Sequence, residues 1–312
     1  MNFWVFVVVI GGSAILSLGS VAVSIRIAHK VGAVDRPDSE RKIQEHPIPK
    51  LGGVAVALTL LIVVVIALAL LNRTDDIPLA LSVLAPALGV AILGYIDDIR
   101  DINPWVRLGS QAGLALIAWS LGTQVNVFGI PFLDAAIVVI WIVAIINGLN
   151  LLDNSDGLAG STVLVSSLGA GIIALINGQN IVSLMAFSIA GIAVGFLWHN
   201  WYPARVYMGD AGAYFLGFLL AVLTIRLRPI EAPQAIGVLI AILLMLLPIV
   251  DTSYVVISRL RRGVHPFTTG RDHLSHVLQA RGASVPVSVI ILMATLVLST
   301  TAAIVLSAIP VN

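Results

Sequence analysis

The charge of this chain is concentrated in a few short clusters whose residue types and spacing suit cation and phosphate chemistry. In "GYIDDIRD", Asp97 and Asp98 are adjacent and Asp101 follows three residues later. If the helix runs past the apolar segment before them, Asp101 lies one turn from both, and the acids share a face. Carboxylates that close repel unless a cation or a proton intervenes. A solvated helix end with Arg100 as partner is the competing reading, and it is weakened because an acid at a helix C-terminus opposes the macrodipole.

"INGLNLLDNSDGLAGS" spaces Asn147, Asn150 and Asp153 by three residues and then adds Asp156 and Gly157. On a helix of about 3.6 residues per turn, the first three side chains occupy an arc of about 120°. Mg²⁺ takes carboxylate and amide oxygens together with phosphate and water, so this is a candidate hard-cation site. A helix end followed by an Asn-Ser-Asp-Gly turn explains residues 153–157 but leaves the two asparagines without a role.

Asp210, in "YMGDAG", stands where an apolar run begins. It reads either as an N-cap or as a metal ligand beside small residues that leave backbone N–H groups open to phosphate. "GRDHLSHVL" brings Arg271 together with His273 and His276 at i, i+3. The arginine fork suits phosphate oxygens, and the surrounding acids favour a hard cation over Zn²⁺. Lys50 ends a polar loop at a membrane boundary, where it either meets phosphate or snorkels. Asp251, in "PIVDTSYVV", is embedded in an apolar run and must face the bundle or a polar cleft, for function or for structural hydrogen bonding.

The elements that must position these groups follow from composition. The chain has 312 residues, 59% hydrophobic and 11% charged, with a mean hydropathy of +1.04. Soluble domains carry about 25% charged residues. Continuous apolar runs of about 20 residues fit spanning helices, whereas barrel strands alternate over about 10. The sequence therefore predicts an all-α integral membrane protein, a single polytopic domain over 1–312. Ten spans are expected near 3–24, 52–71, 78–96, 108–122, 133–150, 161–177, 180–197, 211–226, 235–258 and 287–309. The first run lacks a basic segment before it and reads as a retained helix. A net charge of +1 argues against a nucleic-acid partner. The absence of cysteine excludes disulfides and thiolate metal sites.

With the N-terminus outside, 14 of the 17 Lys and Arg residues fall in inner loops, while Arg73, Arg226 and Arg228 fall outside. That asymmetry obeys the positive-inside rule and places both termini outside. The same parity puts all four polar motifs on the cytoplasmic face. The active site is expected there.

Taken in order, from "DRPDSERKIQEHPIPKLGG" to "GRDHLSHVL", these motifs resemble the polyprenyl-phosphate N-acetylhexosamine-1-phosphate transferases, the MraY/WecA-like membrane family or glycosyltransferase family 4. The resemblance implies transfer of a sugar phosphate, N-acetylglucosamine-1-phosphate first among the candidates, from a UDP-N-acetylhexosamine to undecaprenyl phosphate. UMP would leave, Mg²⁺ would be required with Mn²⁺ as a substitute, and the setting would be the bacterial inner membrane and its lipid. A homodimer is implied by resemblance alone. Asn150 and Asp210 correspond to the metal-binding pair, and Asp97 and Asp98 to an aspartate pair that deprotonates or positions the lipid phosphate. Asp153 and Asp156 correspond to acids of the nucleotide and catalytic cleft. Lys50, Arg107 and Asn147 are expected substrate contacts, and Arg271, His273 and His276 match a loop that meets the donor's pyrophosphate or sugar.

The chain departs from that pattern at three positions. Asn154 stands where the family often has Gly, and Gly270 and Ser275 stand where it often has Asp and His. A pentapeptide-carrying muramoyl transferase ranks lower, since its usual His triplet is missing. A cation-coupled transporter would place its acids near the bilayer midplane rather than at one face. A homologue without turnover is the remaining alternative.

Overall fold

The computed structural model of the chain describes residues 3–35, 46–227, 234–268 and 270–309. Arg36, Arg41, Lys42 and Arg228, counted above among the loop charges, lie outside the described residues. The elements are α1 (Phe3–Val31), β1 (Val34–Asp35), β2 (Ile48–Pro49), α2 (Gly52–Leu70), α3 (Ile77–Arg100), α4 (Pro104–Ser120) and α5 (Pro131–Leu152). They continue with α6 (Leu158–Ile176), α7 (Asn180–Asn200), α8 (Gly209–Arg226), α9 (Gln234–Leu244), α10 (Leu246–Arg261), α11 (Leu274–Ala280) and α12 (Val285–Ala308). A single 3₁₀ turn, Thr74–Asp76, leads into α3.

Each expected apolar run is helical, though the helices are not all simple spans. Among the described residues, eight helices are long and apolar enough to cross a membrane, α1, α2, α3, α5, α6, α7, α8 and α12, or nine spans if the bent pair α9–α10 forms one. The run expected as one span at 235–258 is instead a pair, α9 and α10, bent by 72°. Pro248 supplies a physical reason for the break: it has no N–H to give the carbonyl of Leu244 four residues earlier. Ser166 Oγ of α6 donates to that carbonyl at 2.7 Å, so the freed group is satisfied inside the bundle. The run expected at 108–122 begins earlier, at Pro104, and is only 17 residues long. Asn103 sets this start by accepting the Trp105 N–H at 2.9 Å, with proline in the first turn.

The bundle is organised round α8, in which every residue from Ala211 to Arg226 is buried. Lipid supplies no hydrophobic drive between helices, so close backbone approach and internal polar contacts must hold the centre. At Gly94 of α3, an added Cβ would lie 2.4 Å from the Asp210 carbonyl oxygen, so only glycine permits this crossing. On another side, the Gly53 N–H of α2 donates to Met208 O at 2.9 Å. Arg226, the last residue of the expected 211–226 span and counted there among the outer charges, is buried at the far end of α8. Its guanidinium donates to Thr123 Oγ1 at 3.0 Å, Ser82 Oγ at 3.0 Å and Leu121 O at 3.2 Å.

Gly94→Ala should therefore cost about 1–3 kcal/mol, the usual scale of overpacking at a close contact. Thermal unfolding in detergent checks this, and an unchanged midpoint would contradict so tight an approach of α3 to α8.

Candidate active site

The ends of four helices and one short hairpin converge on a cavity of about 510 Å³. Its walls carry seven aspartates, at 35, 97, 98, 101, 153, 156 and 210, and one lysine, Lys50. That imbalance makes the cavity strongly anionic. Asp97 and Asp98 come from the last turn of α3, Asp153 and Asp156 from the turn after α5, and Asp210 from the first turn of α8.

Asp98 does not waste its charge against the α3 dipole, because it caps another helix. Its Oδ1 accepts the Asp210 N–H and its Oδ2 the Ala211 N–H, both at 3.1 Å, at the N-terminus of α8. Gly209 makes this approach possible, with φ of +67° and a hypothetical Cβ only 2.9 Å from Asp98 Oδ2. Asp97 turns to different partners: Tyr214 Oη donates to its Oδ2 at 2.6 Å, Arg107 Nη1 to the same oxygen at 3.3 Å, and the Ile102 N–H to Oδ1 at 2.8 Å. Of the two adjacent acids, Asp97 is thus the more committed to holding protein groups. The single acidic helix face considered above does not form, since α3 stops at Arg100 and Asp101 is its left-handed cap with φ of 50°.

Asn150 Nδ2 donates to Asp210 Oδ1 at 2.6 Å, which joins the expected metal pair across α5 and α8. Asp153 lines the cavity with Gly209 and Asp210. Burial, followed by the charges of Asp210, Asp98 and Asp156, raises its proton affinity well above the ordinary carboxylate range. Asp156 accepts the Ala204 N–H at 2.9 Å, and burial raises its proton affinity as well. Asn147 stands apart from the cavity wall, donating to Gln111 Oε1 at 2.6 Å and to Val143 O at 2.8 Å. Lys50 is held beside Asp35 at 3.2 Å by the pairing of β1 with β2.

The histidine loop docks behind the cavity. His273 is buried, with Nδ1 2.8 Å from Asp251 Oδ2, while Asp251 Oδ1 accepts the Leu274 N–H at 2.8 Å. Asp251 is fully buried, so this polar pair is the structural use of a carboxylate within a span. Burial, and then the neighbouring His273 and Arg271, lower the proton affinity of His276. Arg271 is exposed and lines a second cavity of about 280 Å³ with Arg259, Arg262 and Asp272. Arg259, which as a sequence feature reads only as a topology signal, is buried and grips Asp272 at 3.0 and 2.8 Å. That guanidinium holds the Asp272 carboxyl below its ordinary range.

Several contributors escaped the sequence reading. Asp35 lay within the quoted polar loop and could have been flagged by its charge. Tyr207 adjoins the "MGD" stretch and lines the cavity, where burial and then Asp156 raise its proton affinity. Tyr214 reads as one more apolar helix residue, and only the fold reveals its hydroxyl on Asp97.

Among the described residues, no three His, Cys, Asp or Glu side chains enclose a metal by themselves. Mg²⁺ rarely needs such a cage, since one or two carboxylates suffice with phosphate and water. An anionic cavity with Asp210 and Asn150 in contact fits that donor set. Because Asp153 gives up its proton less readily when folded, it costs stability increasingly as pH rises above its unfolded value. In metal-free protein, Asp153→Asn should therefore raise the unfolding temperature by a few degrees at about pH 8 and by less at about pH 5. Equal shifts at both pH values would count against charge crowding at this site.

Residues 80–228, which carry Asp97, Asp98, Asn150, Asp153, Asp156 and Asp210, match glycosyl transferase family 4. The chain is 29% identical over 276 residues to a probable undecaprenyl-phosphate N-acetylglucosaminyl 1-phosphate transferase of Bacillus subtilis, covering 86% of this chain and 75% of that protein. It is 28% identical over 285 residues to the undecaprenyl-phosphate alpha-N-acetylglucosaminyl 1-phosphate transferase of Yersinia pestis, covering 86% and 75%. A phospho-N-acetylmuramoyl-pentapeptide-transferase of Streptococcus agalactiae is 30% identical over 211 residues, covering 61% and 63%. With its matched motifs gathered round one anionic cavity at the helix ends, this multi-pass membrane protein carries a glycosyl transferase family 4 segment over residues 80–228 and is similar to the MraY/WecA-like transferases.

Proposed function

We propose that the chain transfers N-acetylhexosamine-1-phosphate, with N-acetylglucosamine as the first candidate sugar, from a UDP-sugar to undecaprenyl phosphate and releases UMP. The proposed setting is the cytoplasmic face of the bacterial inner membrane, at an opening step of envelope polysaccharide synthesis. One observation carries the reading: the carboxylates of the family-matched segment meet in a single anionic cavity at the ends of their helices. A lipid-linked acceptor can place its phosphate at such a level while its chain stays in hydrocarbon. The names of the Bacillus and Yersinia relatives support the acceptor and the sugar. The position at helix ends also speaks against a transporter, whose site would sit near the midplane.

In the reaction, an oxygen of the acceptor phosphate forms a bond to the β-phosphorus of the donor. The bond from that phosphorus to the bridging oxygen breaks, and UMP leaves with the electron pair. Both reactants are anions, so positioning and charge compensation supply most of the catalysis. Asn150 and Asp210 would hold Mg²⁺, which offsets phosphate charge when bound. Lys50, at the cavity wall, and Arg107, held through Asp97, supply cationic groups for phosphate oxygens. Arg271, on the exposed loop, offers a fork for the donor. Asp153 and Asp156, on the same cavity wall, are the proposed acids of the nucleotide and catalytic cleft. Asp98, fixed by two N–H groups, keeps α8 and Asp210 in place.

The test uses purified protein in detergent with undecaprenyl phosphate and Mg²⁺, offered UDP-N-acetylglucosamine, UDP-N-acetylgalactosamine or the UDP-muramoyl pentapeptide. UMP should form with an N-acetylhexosamine donor, stop on chelation, and fall by about 100-fold or more in Asp210→Asn. Folded protein that yields no UMP from any donor would overturn the reading. Labelled UMP should not exchange into the donor when the acceptor is left out. Exchange without acceptor would replace direct attack by a covalent enzyme intermediate.

A further inference from the structure

Two of the three departures from the family pattern touch each other. Ser275 Oγ donates to Asn154 Oδ1 at 2.6 Å, across 121 residues of sequence. Ser275 is fully buried, and Asn154 is anchored in turn, its Nδ2 donating to Leu151 O at 2.5 Å. One turn on from Ser275, Gln279 Nε2 reaches Ser155 Oγ at 3.5 Å. One face of α11 is therefore seated on the two residues that lie between Asp153 and Asp156. The helix start is held from the other side by Asp251, through His273 and the Leu274 N–H. The third departure has a local account. A Cβ at Gly270 would lie 2.8 Å from Asp272 Oδ1, so the Arg259-bound Asp272 fills the space a side chain there would need.

We propose that Asn154 and Ser275 are a pair of positioning residues. Their hydrogen bond locks the histidine-bearing helix α11 to the Asp153–Asp156 turn, so that the donor-facing loop and the acidic cavity behave as one body. His276, next to Ser275 on α11, has its Nδ1 buried without a protein partner. Neither Asn154 nor Ser275 needs to touch the reacting atoms. Their effect passes through His273 and His276, and this inference rests on the donor chemistry proposed above.

A double-mutant cycle tests the lock, with Ser275→Ala, Asn154→Ala and both together. Each single change should raise the donor KM by about three- to tenfold, the scale of one lost buried hydrogen bond, and leave the acceptor KM unchanged. The double variant should be no worse than the weaker single variant, because both remove the same contact. Amide hydrogen exchange over residues 274–280 should speed up in both single variants, which requires no substrate. Unchanged donor KM values, or losses that multiply in the double variant, would overturn the pairing. If the parent protein releases no UMP, the functional reading fails by itself. The exchange arm then still decides the lock, and unaltered protection of α11 in both single variants would reject it.

Discussion

The structure depends on one polar contact between two helices: the Asp98 carboxylate at the end of α3 receiving the first free N–H groups of α8. A helix terminus inside a membrane bundle leaves donors that lipid cannot satisfy. A carboxylate at the end of its own helix faces an unfavourable dipole. Bringing the two together removes both costs and fixes where Asp210 stands. Gly94 and Gly209 are the steric conditions for that contact, since a side chain at either would separate the elements that form it. The remaining acids are then crowded round a cavity whose geometry the cap has already set.

That crowding explains why two neighbouring aspartates take unlike roles. Asp97, one residue before Asp98, points to Tyr214, Arg107 and the Ile102 N–H. It braces α8 from the side and holds the α3–α4 turn, whereas Asp98 holds the end of α8. An Asp-Asp pair in sequence is therefore not a pair of equivalent ligands. The chain direction at the last turn of α3 sends the two side chains to different helices, and each partner set determines what its carboxylate can still do.

The extent to which this was readable from sequence follows the range of the interactions. Apolar runs reported helices faithfully, because the need for about 20 apolar residues per span is local. The break between α9 and α10 was missed, although Pro248 lies at it, since an apolar run reads continuously whether or not it bends. The acids and amides of the site were visible as charge in an apolar chain. Their division of labour was not, because Tyr214, Gln111 and Gly209 come from remote segments and carry no charge. Arg226 and Arg259 show the converse error. Both read as loop charges of the kind that set topology, and both are buried in hydrogen-bonded roles.

The broken span also has a bearing on the site. Asp251 lies in α10, five residues beyond the α9–α10 junction at Met245 and Leu246, where the helix has turned by 72° from α9. Ser166 satisfies the carbonyl exposed at that junction, so the bend is held from within the bundle by α6. Fully buried, Asp251 has its polar atoms satisfied by the His273 ring and the Leu274 N–H. The bend, the buried acid and the histidine loop are thus successive links of one chain of contacts. Asn154 and Ser275 close that chain back onto the turn that carries Asp153 and Asp156. Consecutive hydrogen bonds thus join α10 to the wall of the acidic cavity through α11, a route separate from the α3–α8 contact.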